Sequence, residues 1–206
     1  MKLSFHGAAR TVTGTKHLLS LDNGKKYLFD CGMFQGMGAE TDALNSDFGF
    51  DAKEITCLFL SHAHIDHSGL IPKLVKEGFT GKIYSTQATK DLAEILMCDS
   101  AEIQTNEADY MNQRKTASAD SSEALYTIEN VNAAMTLFET IGYNEWVKAD
   151  ENVEVMYTNA GHLIGSAAIN LKVTENGKIT AITFSGDVGR YRSALLQPPA
   201  EFPQAD

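Results

Sequence analysis

Cysteine is scarce in this sequence. Among 206 residues only Cys31, Cys57 and Cys98 carry a thiol, and they are odd in number, far apart and free of any C-x-x-C pairing. That excludes a disulfide frame or a cysteine-built zinc site and points to reduced thiols. Cys57 and Cys98 lie in apolar stretches and read as small core residues. Positive charge is short as well: 17 Lys and Arg face 27 Asp and Glu, a net charge of −10. This argues against a general nucleic-acid-binding surface, although bound dications would neutralise nearby carboxylates. No apolar run is long enough to span a membrane. The N-terminal residues have neither an apolar core nor a small-residue cleavage site, so the expected location is cytoplasmic, with no membrane partner. There is no repeat of fixed period and no low-complexity tract.

What is present describes an ordinary globular domain, 43% hydrophobic and 21% charged, long enough over residues 1–206 for one sizeable core. Strands are expected at Lys2–Phe5, Lys16–Leu21 and Lys26–Asp30, separated by Thr13-Gly14 and Asp22-Asn23-Gly24. Gly32–Phe50 reads as a loop, and Ile55–Leu60 as a strand buried on both faces. Ser68–Glu77 has a helical apolar face stopped by Gly78. Lys82–Tyr84 is a short strand. A long helix is expected from Thr86, its N-cap, to about Lys115, with Leu92, Ile95, Leu96 and Ile103 as its stripe. Thr116–Glu123 reads as a polar loop, and Thr127 as the cap of a helix reaching about Thr140. Strands return with the alternating Val153, Val155 and Tyr157, then Ala167–Thr174 and Lys178–Phe184 hinged on Asn176-Gly177, a strong hairpin signal. The tail from Gly189 is proline-bearing and expected to be irregular. The class is α/β, a sheet-rich domain with helices outside it.

The chemistry concentrates in Ser61-His62-Ala63-His64-Ile65-Asp66-His67-Ser68-Gly69, where three of the six histidines fall within six residues. Residues two apart in extended chain point the same way, so His62 and His64 can grip one ion. Asp66 and His67, where the chain turns into a helix, can grip another. Imidazole and carboxylate are the ligands zinc takes for hydrolytic work. Without ions, such a cluster beside a hydrophobic strand would cost stability. Asp30 ends a strand and reads either as a turn cap or as a carboxylate that orients a histidine ring. His162 sits in the Gly-flanked loop Ala160–Ser166, and Asp187 follows the strand Ile179–Phe184. Each of these has a plain structural reading too, a satisfied polar residue and a turn residue. His6 and His17 match no ligand pattern and read as surface or turn histidines.

The order Asp30, His62-x-His64-x-Asp66-His67, His162, Asp187 resembles the metallo-β-lactamase superfamily. The resemblance implies an αβ/βα sandwich with the metals at one edge of the sheets. It implies His62, His64 and His162 on a first zinc, Asp66 and His67 on a second, and Asp187 bridging them. Further motifs look like the β-CASP branch: Gly7-Ala8-Ala9-Arg10-x-Val12-Thr13-Gly14, Asp30-Cys31-Gly32-Met33-Phe34-Gln35-Gly36, Ala160-Gly161-His162-x-x-Gly165-Ser166-Ala167 and Ser185-Gly186-Asp187-x-Gly189-Arg190. That branch contains ribonuclease J-like enzymes and the nuclease subunit of pre-mRNA cleavage and polyadenylation. It implies a hydrolase that cuts RNA phosphodiester bonds with a two-metal-activated hydroxide. Asp66 and Asp30 are then the catalytic carboxylates, Asp66 also being able to take a proton.

In that branch an inserted domain follows this region, and the chain then returns to complete the fold. The sequence ends at Asp206, so the sandwich is expected to be incomplete at its C-terminal side, an N-terminal portion of a longer enzyme. A later acidic residue and two later histidines of the family have no counterpart, which leaves the second zinc set one ligand short. A missing neighbour strand would expose a sheet edge and invite homo-oligomers. Manganese or iron competes with zinc for such ligands. The alternatives are a two-zinc thioesterase or small phosphodiesterase, and an inactive metal-binding module of an RNA-processing complex.

Overall fold

The turn signals of the first third divide it as anticipated. A computed structural model, which describes residues 1–114 and 121–206, has antiparallel strands β1 (Lys2–Phe5), β2 (His17–Ser20) and β3 (Lys26–Phe29). The stretch expected as one loop, Gly32–Phe50, contains a short helix, α1 (Thr41–Ser46). Its anchor is polar, which hid it from apolar periodicity. The buried Asn45 accepts from the Phe34 N–H (2.8 Å) and donates to the Phe34 carbonyl (3.0 Å).

Strand β4 (Cys57–Phe59) is buried on both faces. Helix α2 (Ile65–Ser68) begins three residues earlier than expected and stops at Gly69, and α3 (Ile71–Lys76) follows. The expected single helix is split because Leu70 donates its N–H to the Cys31 carbonyl (2.9 Å), tying the chain to the end of β3. After β5 (Lys82–Ser85) comes α4 (Gln87–Arg114), capped as expected by the Thr86 hydroxyl, which accepts from the Thr89 N–H (3.2 Å). Half of the expected stripe, Leu92 and Leu96, packs against the core, partly buried. Thr89, Ala93, Met97 and Ala101 face the core, while Ile95 and Ile103 are 64% and 50% exposed. Small residues four apart let the helix lie close to its neighbours, and closeness decided the face over bulk. Residues 115–120, where the helix end and the start of the polar loop were expected, lie outside the described residues.

Helix α5 (Ile128–Met135) starts at Thr127 with a capping box to Asn130, but ends well before Thr140. The β-prone Phe138–Thr140 instead forms β6, parallel to β5. Strands β7 (Val147–Lys148), β8 (Val153–Asn159), β9 (Ala167–Glu175) and β10 (Lys178–Phe184) follow, and the tail beyond them carries no helix or strand, as expected. At the β9–β10 turn Asn176 and Gly177 have φ of 52° and 76°, the pair of left-handed residues a type I′ hairpin needs.

The strands form a six-stranded sheet in sequence order, β1 to β6, and a four-stranded antiparallel sheet, β10-β9-β8-β7. Alternation assigns each side chain to one of two cores. Tyr27, Phe29, Cys57, Phe59 and Tyr84 meet Val155, Tyr157, Ile169 and Leu171 between the sheets. Leu28, Leu58 and Ile83 point the other way, against Leu70, Ile71, Leu74, Met97 and Val131 of the helical side. The architecture is therefore α/β, two sheets face to face with helices α3, α4 and α5 on the first. All three cysteines are free, with Cys57 in the inter-sheet core and Cys98 packed beside the helical one. Among the described residues no helix is long and apolar enough to cross a membrane.

Candidate metal centre

The loops after β3, β4, β8 and β10 meet at one end of the sandwich. Asp30 ends β3, His62 and His64 follow β4, Asp66 and His67 lie in α2, His162 sits between β8 and β9, and Asp187 follows β10. The two sheets are stitched there by Ala167 N–H donating to the Ser61 carbonyl (2.9 Å). All seven residues singled out in the sequence thus come to one place.

The hydrogen bonds fix which ring nitrogens face inward. Asp30 is fully buried at φ 56°, a left-handed conformation that costs a non-glycine residue on the order of 1 kcal/mol. Its Oδ1 accepts from Ser61 N–H, and its Oδ2 from Ser61 Oγ and from His67 Nδ1, each at 2.7 Å. A carboxylate only accepts, so His67 carries its proton on Nδ1 and presents a lone pair at Nε2. With its hydroxyl proton given to Asp30, Ser61 Oγ must accept from His62 Nδ1 (3.0 Å). His62 Nε2 is then also a bare lone pair.

That lone pair converges with ring nitrogens of two more histidines. His62 Nε2 lies 3.0 Å from His64 Nδ1, which lies 3.2 Å from His162 Nε2. Zinc–nitrogen bonds of about 2.0–2.1 Å in a tetrahedron separate neighbouring donors by about 3.3–3.4 Å, so the spacing matches one coordination sphere. Ligand atoms of His62, His64, His162 and Asp187 all fall within 4.8 Å of one another. Asp187 reaches two ways, Oδ2 to His162 Nε2 and Oδ1 to His67 Nε2, each at 3.5 Å. His67 Nε2 is 3.7 Å from Asp66 Oδ2. The donor set therefore has two lobes, joined by one carboxylate, and its chemistry fits divalent ions.

Electrostatics disfavour protonation of His62 and His64. Burial, then the neighbouring imidazoles of His67, His64 and His162, push His62 down to about 2. Burial and His162 lower His64 as well. At His67 burial pulls the same way, but the Asp30 hydrogen bond and the charges of Asp30, Asp66 and Asp187 outweigh it and leave its pKa raised.

Supporting residues escaped the sequence reading. Ser61 couples Asp30 to His62. Ser166 Oγ accepts from the N–H groups of His162 (3.0 Å) and Leu163 (3.1 Å), shaping the loop that carries His162. Lys16 is buried and donates to the carbonyls of Gly14 (3.0 Å) and Gly32 (2.9 Å). Gly32 packs so tightly on α2 that a Cβ there would sit 1.6 Å from the Asp66 carbonyl oxygen. His17 lies in β2, inside the strand expected at Lys16–Leu21, but it is neither a surface nor a turn histidine. Its ring is half-buried edge-on to Phe5 and Phe184, because strand alternation turns it toward the inter-sheet core. His6 lies just beyond β1.

Comparison with known proteins agrees with this geometry. The sequence profile described as "Metallo-beta-lactamase superfamily" matches residues 17–106. A ribonuclease of Thermus thermophilus is 36% identical over 206 residues, covering 100% of this chain and 42% of that protein. The cleavage and polyadenylation specificity factor 73 of Drosophila melanogaster is 30% identical, covering 94% of this chain and 26% of its own length. The chain thus spans less than half the length of these relatives. A crystal structure of a subclass B3 metallo-beta-lactamase from a soil metagenome library superposes with a TM-score of 0.51 at 17% identity, covering 95% of this chain and 67% of that one. That likeness concerns the fold alone.

Proposed function

We propose that the chain belongs to the metallo-β-lactamase superfamily, which its profile match and its ribonuclease relative support, and that it carries the metal site of a β-CASP ribonuclease. The activity is hydrolysis of RNA phosphodiester bonds. The observation that carries this reading is the convergence of three imidazole nitrogens at 3.0 and 3.2 Å, linked through Asp187 to a second lobe. His62, His64 and His162 would hold one zinc, His67 and Asp66 a second, and Asp187 would bridge them. Such a pair supplies Lewis acidity and a water of lowered pKa.

The protein's own groups do the rest. Asp30 holds the His67 ring with Nε2 turned inward. Ser61 passes that constraint on to His62. Asp66, partly exposed beside His67, would take up the proton released when water adds to phosphorus. The P–O bond opposite the incoming oxygen breaks, and the proton taken by Asp66 is returned through solvent to the leaving oxygen, giving a phosphate monoester and a hydroxyl end. The names of the relatives, a ribonuclease and a cleavage factor, support RNA as substrate. Work inside a larger RNA-processing assembly is part of the same proposal.

Elemental analysis of the purified protein and of His64→Ala, paired with cleavage of a labelled RNA, tests it. About two zincs in the wild type, fewer in the variant, and chelator-sensitive cleavage are expected. A wild type that takes up no zinc when zinc is supplied sinks the reading.

A further inference from the structure

His162 has a second neighbourhood outside the metal centre. Beyond it opens a cavity of about 470 Å³, walled by His162, Val188, Gly189, Arg190, Arg192 and Ser193. The chain has only four arginines, and two of them are here. In a protein of net charge −10 that concentration is not a background effect. Among the described residues neither guanidinium has a carboxylate partner within ion-pairing distance, although acidic groups outnumber basic ones. The nearest acid in sequence, Asp187, is turned toward His67 and His162.

Backbone packing fixes the cavity against the metal centre. Gly189 N–H donates to the Ala160 carbonyl (2.9 Å), and a Cβ at Gly189 would lie 1.7 Å from the Gly161 carbonyl oxygen. The strand-end loops carrying His162 and Arg190 are thus held backbone to backbone.

We infer that Arg190 and Arg192, with Ser193, form a subsite for a phosphate of the RNA chain neighbouring the scissile one. This rests on the phosphodiesterase reading above and adds to it the path the substrate takes away from the metals. Guanidinium forks match phosphate oxygens in pairs, and a hydroxyl can donate to a third oxygen. A flanking phosphate is the anion that every internal cleavage site in a nucleic acid supplies.

Two measurements on the zinc-loaded chain test it, comparing wild type, Arg190→Ala/Arg192→Ala and a control, Lys178→Ala, on the exposed β9–β10 hairpin. In the first, kcat/KM is determined for a dinucleotide with one phosphodiester and for a tetranucleotide with three. The wild type and the control are expected to favour the tetranucleotide by about tenfold or more, as loss of a good charged contact implies. In the double arginine variant the ratio is expected to fall toward one, through KM. In the second, fluorescence anisotropy follows binding of a labelled oligonucleotide against salt. The slope of log K on log salt should become shallower by about 0.7 per arginine removed. An unchanged length preference together with an unchanged salt slope overturns the inference. If the loaded wild type cleaves neither substrate, the phosphodiesterase reading falls by itself, and the binding slope still decides whether the arginines hold phosphate.

Discussion

Replacing Asp30 by Asn keeps the shape of the side chain and reverses the polarity of one atom. Oδ1 can still accept from Ser61 N–H. The amide nitrogen then stands where Oδ2 was, 2.7 Å from both Ser61 Oγ and His67 Nδ1. An amide nitrogen only donates, so His67 Nδ1 must become an acceptor and its proton must move to Nε2. That atom is the one facing Asp66 Oδ2 at 3.7 Å and Asp187 Oδ1 at 3.5 Å, and an N–H there has no lone pair for an ion. Flipping the amide instead sets two N–H donors against each other at Ser61, which costs about 1–3 kcal/mol. Either way the second lobe weakens. Loss of such an orienting partner typically lowers metal affinity about 10–100-fold, or about 1.4–2.8 kcal/mol. The first lobe does not touch Asp30 directly and should lose less. Stepwise zinc titration against a competing chelator measures both affinities, and nitrogen-15 spectra report the His67 tautomer. A second affinity within twofold of wild type, or a His67 still protonated at Nδ1, refutes the reasoning.

Three further perturbations probe the supports. Gly32→Ala drives a methyl group to 1.6 Å from the Asp66 carbonyl oxygen; both partners are backbone, so a loss of about 3 kcal/mol in urea unfolding is expected, and a change under 1 kcal/mol would contradict that packing. Burial lowers the Lys16 ammonium from 10.5 to about 8, so between those values the unfolded chain binds the extra proton. The fold therefore gains stability as pH rises through that window. The stability difference between wild type and Lys16→Met should shift toward wild type by on the order of 3 kcal/mol from pH 7 to 10.5, and a pH-independent difference would rule it out. Ser166→Ala strands the N–H groups of His162 and Leu163; a loss of about 1–2 kcal/mol is expected, with a weaker first zinc by titration. Retention of both properties would mean that water replaces the hydroxyl.

The candidate ligand cluster was legible because metal chemistry needs rare residue types at fixed spacing. The strands were legible because burial on one or both faces leaves a period. Tyr27 and Phe29 against Leu28, or Cys57 and Phe59 against Leu58, divide between two cores as the pattern implies. What stayed hidden depended on partners distant in sequence. The face of α4 was set by how closely Ala93 and Ala101 allow approach, and the greasier Ile95 and Ile103 were left outside. The end of α5 was decided by β5, which captured Phe138–Thr140. The break at Leu70 depends on a carbonyl of Cys31. Ser61, Ser166 and Lys16 look like ordinary polar residues until the groups they bond are known. His17 misled for the same reason: its strand was expected, but the packing of its ring against Phe5 and Phe184 depends on distant partners.

The convergence of four strand ends has a mechanical side. His64 and His162 are 98 residues apart in sequence, and they belong to loops of different sheets. An ion gripping both closes that loop as a cross-link would. In the chain-entropy treatment of cross-links, a loop of about 100 residues is worth about 4.7 kcal/mol. The metal would then act as a removable rivet between the two sheets. The same atoms that prepare water for attack would set how firmly the sandwich stays shut, and metal supply would govern the lifetime of the fold as well as its chemistry.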